Sequence, residues 1–194
     1  MLIFWEQRLV FLATPKAGST AVEVALEPLA SLAVQHPPQM KHADAARFNR
    51  HIHPWLQDMT EDRFTTVALM REPVEWLRSW YRFHLRDYHD GPEDIPAGGF
   101  EGFVGRYIEQ PKEVTMGIGT QSGFLGIGSA PPDRIFRYED MQSFTRFLED
   151  RLGCEINLPR INVPPAADVT LSDAATETLH KTLEPDFTLY ASLP

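Results

Sequence analysis

The segment from Leu9 to Ala25 constrains the fold of this chain more than any other. It begins with an apolar, β-prone run, Leu9 to Leu12, which is typical of a strand buried on both faces. The run breaks at Thr14-Pro15, and apolar residues then resume at helical spacing: Ala21, Val22, Val24, Ala25, Leu26 and Leu29. A strand, a turn of small residues and a helix together aim several backbone N–H groups at one point, which favours binding of an anion such as phosphate or sulfate.

The side chains of this turn suit the same ligand. Gly18 lets the backbone approach closely, Ser19 and Thr20 offer a helix cap and two hydroxyl donors, and Lys16 adds a positive charge. The Walker A order Gly-x-x-x-x-Gly-Lys-Ser/Thr is absent, because Lys16 precedes the glycine. By itself the segment is equally compatible with an ordinary strand-to-helix turn whose lysine is solvated.

A second strand–turn–helix unit follows. The run from Phe64 to Met70 predicts another buried strand, which ends in Arg71-Glu72-Pro73. Apolar residues at helical spacing come next, and Pro73 suits the first turn of that helix. Ligands of parallel α/β sheets gather at the carboxyl ends of the strands, so Lys16 and Arg71 could grip two anionic groups of one nucleotide. The alternative is a surface ion pair of Arg71 with Glu72 or Glu75.

Composition narrows the class of protein. The 194 residues, 43% of them hydrophobic, predict one domain that spans 1–194. The repeated unit predicts an α/β fold with a central, mainly parallel sheet flanked by helices. The net charge of −9 argues against a nucleic-acid or anionic-membrane binder. The single cysteine, Cys154, excludes an intrachain disulfide, and no apolar run reaches the roughly 18 residues of a membrane span, so we expect a cytoplasmic location.

Further elements follow from the same signals. Glu6 to Arg8 are predicted to form the turn of a hairpin, and the helix after Thr20 is predicted to end near Leu32 or Ala33. The later predictions are a short helix over 41–48, loops over 87–99 and 116–128, a strand over 135–138, and helices over 100–108, 144–152, 172–183 and 184–190.

Both strand–turn–helix units resemble those of a known family. Pro15-Lys16-Ala17-Gly18-Ser19-Thr20 resembles the 5′-phosphosulfate-binding loop of sulfotransferases that use 3′-phosphoadenosine-5′-phosphosulfate (PAPS). The stretch from Arg71 to Tyr81 is similar to their Arg-x-Pro…Ser-x-Tyr motif for the 3′-phosphate. The branch most resembled is the carbohydrate sulfotransferases, especially the uronyl and heparan-sulfate 2-O type and their small bacterial relatives. The resemblance implies a P-loop-like three-layer fold.

The resemblance also implies the roles of individual residues. The loop Pro15, Lys16, Ala17, Gly18, Ser19 and Thr20 would hold the 5′-phosphosulfate, with Lys16 stabilising the leaving phosphate oxygen. Arg71 and Ser79 would bind the 3′-phosphate. PAPS would be the co-substrate and adenosine 3′,5′-bisphosphate (PAP) the product, with no metal.

The catalytic base and the acceptor contact are assigned more loosely. The segment Lys41 to Phe48 is similar to the family stretch that carries the base, which gives that role to His42. A surface or capping role for His42 is the alternative, and three other histidines compete for the role of base: His36, His51 and His53. Gln121 lies where the family often has Gln and is expected either to contact the acceptor or to belong to a plain connector.

Three later stretches resemble the family's more structural segments. Asp133 to Met141 is similar to one from which Arg137 or Tyr138 could face the site. Arg160 to Val163 resembles a short Asn-containing stretch, and 186–190 is similar to a closing Asp-x-x-x-Tyr. Trp76 departs from the pattern, because the family often has Arg there.

These inferences predict an enzyme that transfers the sulfuryl group of PAPS to a hydroxyl. The lack of a strongly basic stretch favours a small sugar, lipid or metabolite as acceptor over a long polyanion. The sequence indicates neither the acceptor nor the oligomeric state. Two other functions remain open. One is a non-catalytic PAPS- or nucleotide-binding module, and the other is a P-loop-like kinase, which the position of Lys16 and the missing magnesium carboxylate motif disfavour.

Overall fold

A five-stranded mixed sheet forms the centre of the fold in a computed structural model that describes residues 1–87, 98–161 and 166–194. The strands are β1 (Leu2–Phe4), β2 (Leu9–Leu12), β3 (Leu32–Ala33), β4 (Thr65–Met70) and β5 (Arg134–Arg137), in the order β3-β1-β2-β4-β5. β2 pairs with β4 and β4 with β5 in parallel, whereas β1 is antiparallel to both β2 and β3. The two predicted anion-binding turns therefore follow neighbouring parallel strands.

Helices and short helical turns connect the strands. The α-helices are α1 (Ser19–Leu26), α2 (Pro38–Lys41), α3 (Ala45–Arg47), α4 (His53–Gln57), α5 (Pro73–Asp87), α6 (Gly99–Glu109), α7 (Pro111–Val114), α8 (Gln121–Phe124), α9 (Met141–Leu152), α10 (Asp173–Thr182) and α11 (Glu184–Ser192). Glu27–Leu29 and Tyr138–Asp140 are 3₁₀ turns, and Phe48–Ile52 is a π-helical turn.

Helices cover both faces of the sheet because the strand residues alternate between two apolar clusters. One face packs against α1 and α9; its cluster includes Phe4, Phe11, Leu69, Val22, Leu26, Phe144 and Leu148. The other packs against α4, α8 and the turn before α4; its cluster includes Ile3, Val10, Met70, Phe48, Leu56 and Phe124. Burial on both faces explains why β2 and β4 read as continuous apolar runs.

A third apolar cluster fixes α5 beside the sheet. It joins α5 to α6 and α10 through large side chains: Trp76, Trp80, Tyr81, Phe100, Phe103, Tyr107 and Leu179. The aromatic rings meet edge-on or tilted, as between Trp76 and Tyr107, whose centroids are 6.3 Å apart. The helix that carries the second predicted motif is thus held by packing along its length.

The predicted helix after Thr20 is wrong at its end. α1 stops at Leu26, and Pro28 lies in the following 3₁₀ turn, where its missing N–H and fixed φ break the α-helical pattern. Leu32 and Ala33 instead form β3, an edge strand that pairs with β1.

Two other predicted elements differ in detail. The segment 41–48 is not one helix, since α2 ends at Lys41 and Asp44 caps the start of α3 by accepting a hydrogen bond from the Arg47 N–H at 2.7 Å. The predicted loop over 116–128 contains α8. The hairpin turn before β2 and the strand and helix around Arg71 are confirmed.

Two predictions fall on residues that the structure does not describe. Residues 88–97 of the predicted loop over 87–99 lie outside the described part of the chain, as do Asn162 and Val163. Within the described part, no helix combines the length and the apolar character needed to cross a membrane.

Candidate functional site

The turn between β2 and α1, the predicted anion-binding loop, has an unusual backbone. Lys16 and Gly18 both have positive φ, 61° and 77°. Gly18 caps α1 without a side-chain hydrogen bond, and the first turn of α1 carries no acidic residue. In the described part of the chain, no acceptor receives a hydrogen bond of normal geometry from the amides of residues 17–20. Amides without a described partner at the start of a helix favour binding of an anion.

The carboxyl end of β5 closes on this turn from the other side of β4. A Cβ added to Gly18 would lie 2.7 Å from Cε2 of Tyr138. Glycine is therefore required at this position by the close approach as well as by its left-handed conformation. The resemblance allowed either Arg137 or Tyr138, at the end of β5, to face the predicted site. Of the two, Tyr138 is the one that lies against Gly18.

Arg71 reaches the same turn from the end of β4. Its Nη1 donates to the carbonyl oxygen of Lys16 at 3.3 Å, and its guanidinium carbon lies 4.7 Å from the centre of the Tyr138 ring. Nη2 lies 3.6 Å from Oε2 of Glu75, too far for a normal hydrogen bond. The Nε of Arg71 is buried and has no hydrogen-bond partner among the described residues. The predicted surface ion pair with Glu75 is thus present, but it leaves guanidinium donors over for an anion.

Trp76 ties α5 to the loop. Its side chain is fully buried, and its indole N–H donates to the carbonyl oxygen of Pro15 at 2.9 Å. Trp76, which stands where the resembled family often has Arg, therefore holds the loop through the backbone carbonyl of Pro15. Ser79 lies half-buried on the next turn of α5, and the described contacts do not join it to the loop.

The ammonium group of Lys16 lies against aromatic rings of α5. Its Nζ is 3.9 Å from the centre of the Phe83 ring and 5.4 Å from that of Trp80. A cation over a ring face is stabilised by the ring's quadrupole. The charge of Lys16 is therefore held on the α5 side of the loop.

His42 lies beside the start of the loop. Its Nδ1 is 2.6 Å from the carbonyl oxygen of Ala13, the residue that follows β2. A carbonyl oxygen only accepts hydrogen bonds, so Nδ1 carries the proton of the neutral ring and Nε2 keeps a free electron pair. Burial lowers the pKa of His42, and the charge of Lys41 lowers it further, against the opposing effect of the Ala13 carbonyl. A neutral imidazole with an available Nε2 is the form that a general base needs.

Lys41, the neighbour of His42, is itself anchored to α1. Its Nζ lies 2.6 Å from Oε2 of Glu23, whose carboxylate is buried. The other histidines differ from His42: His36 and His51 are exposed, and His53 lies half-buried with its ring 6.0 Å from that of Phe48. Of the four candidates, His42 is the one whose ring the structure fixes against the predicted loop.

Gln121 is buried behind Arg71. Its Oε1 accepts from the Arg71 N–H at 3.0 Å, and its Nε2 donates to the Arg71 carbonyl at 2.8 Å. The side chain is fully shielded from solvent. An acceptor contact by Gln121 stays a prediction, and its described side-chain contacts are with the backbone of Arg71.

Sequence reasoning assigned no role to two residues that support this arrangement, Asp186 and Glu139. Asp186 of α11 accepts from the N–H groups of Gln121 and Ser122, at 3.0 and 2.9 Å. Burial raises the pKa of Asp186, and these bonds oppose the shift. Glu139 accepts from the Glu72 N–H and from the Tyr190 hydroxyl, at 3.1 and 2.8 Å. The family-like Asp-x-x-x-Tyr spacing, which places both acceptor and donor on one face of α11, was the available signal.

Other surface features lie away from this edge of the sheet. A shallow depression at the end of α9 is lined by Glu149, Asp150, Gly153, Cys154 and Glu155. Arg151 of the same helix donates to the carbonyl of Gln7, which precedes β2. An apolar groove beside β1 and β3 is lined by Trp5, Trp55 and Met59 among others. Among the described residues, no group of three or more His, Cys, Asp or Glu side chains is close enough to hold a metal ion.

Comparison with models of known protein families gave no match, and comparison with curated protein sequences gave none either.

Proposed function

We propose that this chain is a PAPS-dependent sulfotransferase with a P-loop-like three-layer fold. The observation that carries the proposal is the contact between the cationic residues of its two motifs, which lie 55 residues apart in sequence: Arg71 Nη1 donates to the Lys16 carbonyl. One edge of the sheet thus combines unpaired loop amides, an ammonium group and a guanidinium. Two separate anionic groups on one ligand match that arrangement better than a single anion does.

In the proposed mechanism, the amides of residues 17–20 with Ser19, Thr20 and Lys16 hold the 5′-phosphosulfate. Arg71 and Ser79 bind the 3′-phosphate. His42 Nε2 takes the proton from an acceptor hydroxyl while its oxygen forms a bond to sulfur, and the bond from sulfur to the phosphate oxygen breaks. Lys16 stabilises the charge that develops on that leaving oxygen. Such catalysis depends on positioning and on electrostatic stabilisation more than on covalent chemistry.

The state of His42 supports the step that it is assigned. Its Nδ1 is engaged by Ala13 and its pKa is lowered by burial, so the neutral ring predominates at neutral pH. A hydroxyl of a small sugar, lipid or metabolite remains the proposed acceptor class. The net charge of −9 disfavours a long polyanionic acceptor.

Calorimetry with PAP, ADP and ATP, each with and without magnesium, tests the proposal. We expect micromolar binding of PAP that does not need magnesium and exceeds that of ADP. Tighter, magnesium-dependent binding of ATP would contradict the proposal and favour a kinase. Transfer of labelled sulfate from PAPS to a panel of simple sugars, glycolipids and phenols then separates an enzyme from a non-catalytic binding module.

Replacement of Arg71 tests the second motif. Arg71→Ala should weaken PAP binding by about 2–3 kcal/mol, the scale of a lost hydrogen bond to a charged group. Arg146→Ala, an exposed change on α9, is the matched control and should leave the affinity unchanged. Equal PAP affinity in Arg71→Ala and wild type would place Arg71 outside the nucleotide site.

A further inference from the structure

Arg71 lies just beyond the end of the sheet, where none of the described strands pairs with its backbone. The last residue of β4 is Met70, which is paired with Arg137 of β5. The side-chain amide of Gln121 makes the two backbone hydrogen bonds that a neighbouring strand would make. It accepts from the Arg71 N–H and donates to the Arg71 carbonyl. This two-bond contact extends the hydrogen bonding of β4 by one residue. The backbone from which the guanidinium projects is fixed by it.

Gln121 is in turn fixed from the far end of the chain. The carboxylate of Asp186, 1% exposed, accepts from two successive N–H groups, those of Gln121 and Ser122. A buried carboxylate is unfavourable unless its oxygens are hydrogen-bonded, and these two amides meet that requirement. Asp186 thereby fixes the backbone position from which the Gln121 side chain projects.

The guanidinium at the other end of this chain of contacts has little freedom. It lies over the Tyr138 ring and reaches the Lys16 carbonyl at 3.3 Å, which is near the upper limit of a hydrogen bond. A small shift of the Arg71 backbone would therefore break its contact with the loop and change its distance from any anion bound there.

We propose that Gln121 and Asp186 are positioning residues that set the Arg71 guanidinium for the 3′-phosphate, through the contacts Asp186–Gln121–Arg71. The inference rests on the proposed function. In this proposal Gln121 lets the protein distinguish nucleotides with a 3′-phosphate from those without one, although neither Gln121 nor Asp186 touches the nucleotide.

The test compares the affinities of PAP and adenosine 5′-phosphate, which lacks the 3′-phosphate, in the full chain. Gln121→Met removes both bonds to Arg71, and Asp186→Asn replaces one of the two accepting oxygens with a donor. We expect the PAP-to-adenosine 5′-phosphate affinity ratio to fall about tenfold in each, the scale of one or two lost hydrogen bonds. The matched controls are Gln142→Met and Asp150→Asn, both exposed on α9, which should keep the wild-type ratio.

The ratio separates positioning from stability. A merely structural role would lower the melting temperature, or weaken both nucleotides equally, without changing the ratio. Gln121→Glu, which keeps the size and one accepting oxygen, provides the measurement if Gln121→Met does not fold. An unchanged ratio in folded variants overturns the inference while the proposed function stands. Lack of a PAP preference in the wild type overturns both.

Discussion

Lys16 combines an uncommon backbone conformation with a defined position of its charge. A lysine with a φ of 61° is in the left-handed region, and its Nζ lies 3.9 Å from the Phe83 ring centre. Both features aim the side chain to one side of the loop. The assignment of Lys16 to the leaving oxygen makes a direct prediction.

Lys16→Ala should lower the rate of sulfuryl transfer by about 10²–10³-fold, the scale of losing one preorganised group that stabilises developing charge. On the proposed function, PAP binding should persist in part, because Arg71 would still contact the 3′-phosphate. Steady-state transfer kinetics and calorimetry measure the two effects. Lys181→Ala, at a side chain 75% exposed on α10, is the control, and full turnover in Lys16→Ala would disprove the assigned role.

His42 makes a prediction about pH. Burial lowers the pKa of His42 from its ordinary value of 6.5. The proposed base should therefore stay neutral as the pH falls to 6.5 and somewhat below, and the plateau of the transfer rate should extend below pH 6.5. His42→Gln should lower the rate by about 10²–10⁴-fold and leave PAP affinity unchanged. A pH–rate profile of the wild-type protein tests how far the plateau extends. His51→Gln, at an exposed histidine, is the control, and a normal rate in His42→Gln would move the base elsewhere.

The same pKa affects stability. The unfolded chain takes up a proton at His42 at a higher pH than the folded chain does, so the free energy of unfolding falls as pH drops below 6.5. The loss ends once the pH is below the folded-state pKa. His42→Gln should reduce this acid sensitivity.

At the scale of elements, the turn from β2 into α1 depends on how closely β5 approaches it. Gly18→Ala introduces both a left-handed alanine and a 2.7 Å contact with Tyr138. Gly153→Ala, at the end of α9, is a matched control: its φ is 70°, but nothing lies within 4 Å of the added Cβ.

We expect Gly153→Ala to lower the free energy of unfolding by about 1–2 kcal/mol, the penalty of the left-handed conformation alone. Gly18→Ala should lose more than that. It should also weaken PAP binding, because Tyr138 must move from beneath Arg71. Urea unfolding and calorimetry on both variants measure the difference. Equal losses of stability and unchanged PAP affinity would show that the contact with Tyr138 does not matter.

The elements that were predictable are those whose signals are local. β4 and α5 follow from an apolar run, a proline at the first helical position and a period of 3.6 residues. β3 was not predictable, because two residues, one of them exposed, carry no pattern, and their pairing with β1 defines the strand. The adjacency of β2 and β4 and the antiparallel β1–β2 hairpin were predicted, whereas the antiparallel pair of β1 with β3 was not, so the sheet is mixed and not mainly parallel.

The site divides in the same way. The composition of the loop around Lys16 and the strand end at Arg71 could be recognised, since each is contiguous in sequence. The Gln121–Asp186 contact spans 65 residues and depends on where α11 docks, which no local pattern encodes. The resemblance marked the places of Gln121 and of Asp186, but not the contact between them.

On the scale of the whole molecule, α11 secures the strand ends that form the site. Arg137 Nη2 donates to the Leu193 carbonyl at 2.6 Å, and the Tyr190 hydroxyl donates to Glu139 at 2.8 Å. With Asp186, these contacts join α11 to β5, to the turn after it and to α8. The strand ends of the candidate site are therefore held in part by α11 and the residue that follows it.

Alkaline pH should reveal how much Tyr190 of α11 contributes to the free energy of unfolding. Burial and the neighbouring Glu139 carboxylate raise the pKa of Tyr190 from 10 to about 12, and burial also raises that of Tyr107. Their contribution to stability is present below pH 10 and is lost as pH rises towards 12, because the unfolded chain releases these protons first. Urea unfolding across this range should show a falling free energy of unfolding, with a shallower slope in Tyr190→Phe. Identical slopes would mean that Tyr190 is not involved.

The docking of α11 has a consequence for biosynthesis. Lys16 and Arg71 are synthesised well before Asp186, Tyr190 and Leu193, which follow them in the sequence. Until α11 emerges, Gln121 and Glu139 lack contacts that hold them. A nascent chain that still lacks α11 would thus carry both cationic motifs without their final geometry, and on the proposed function we expect it to bind nucleotide only after α11 has been made.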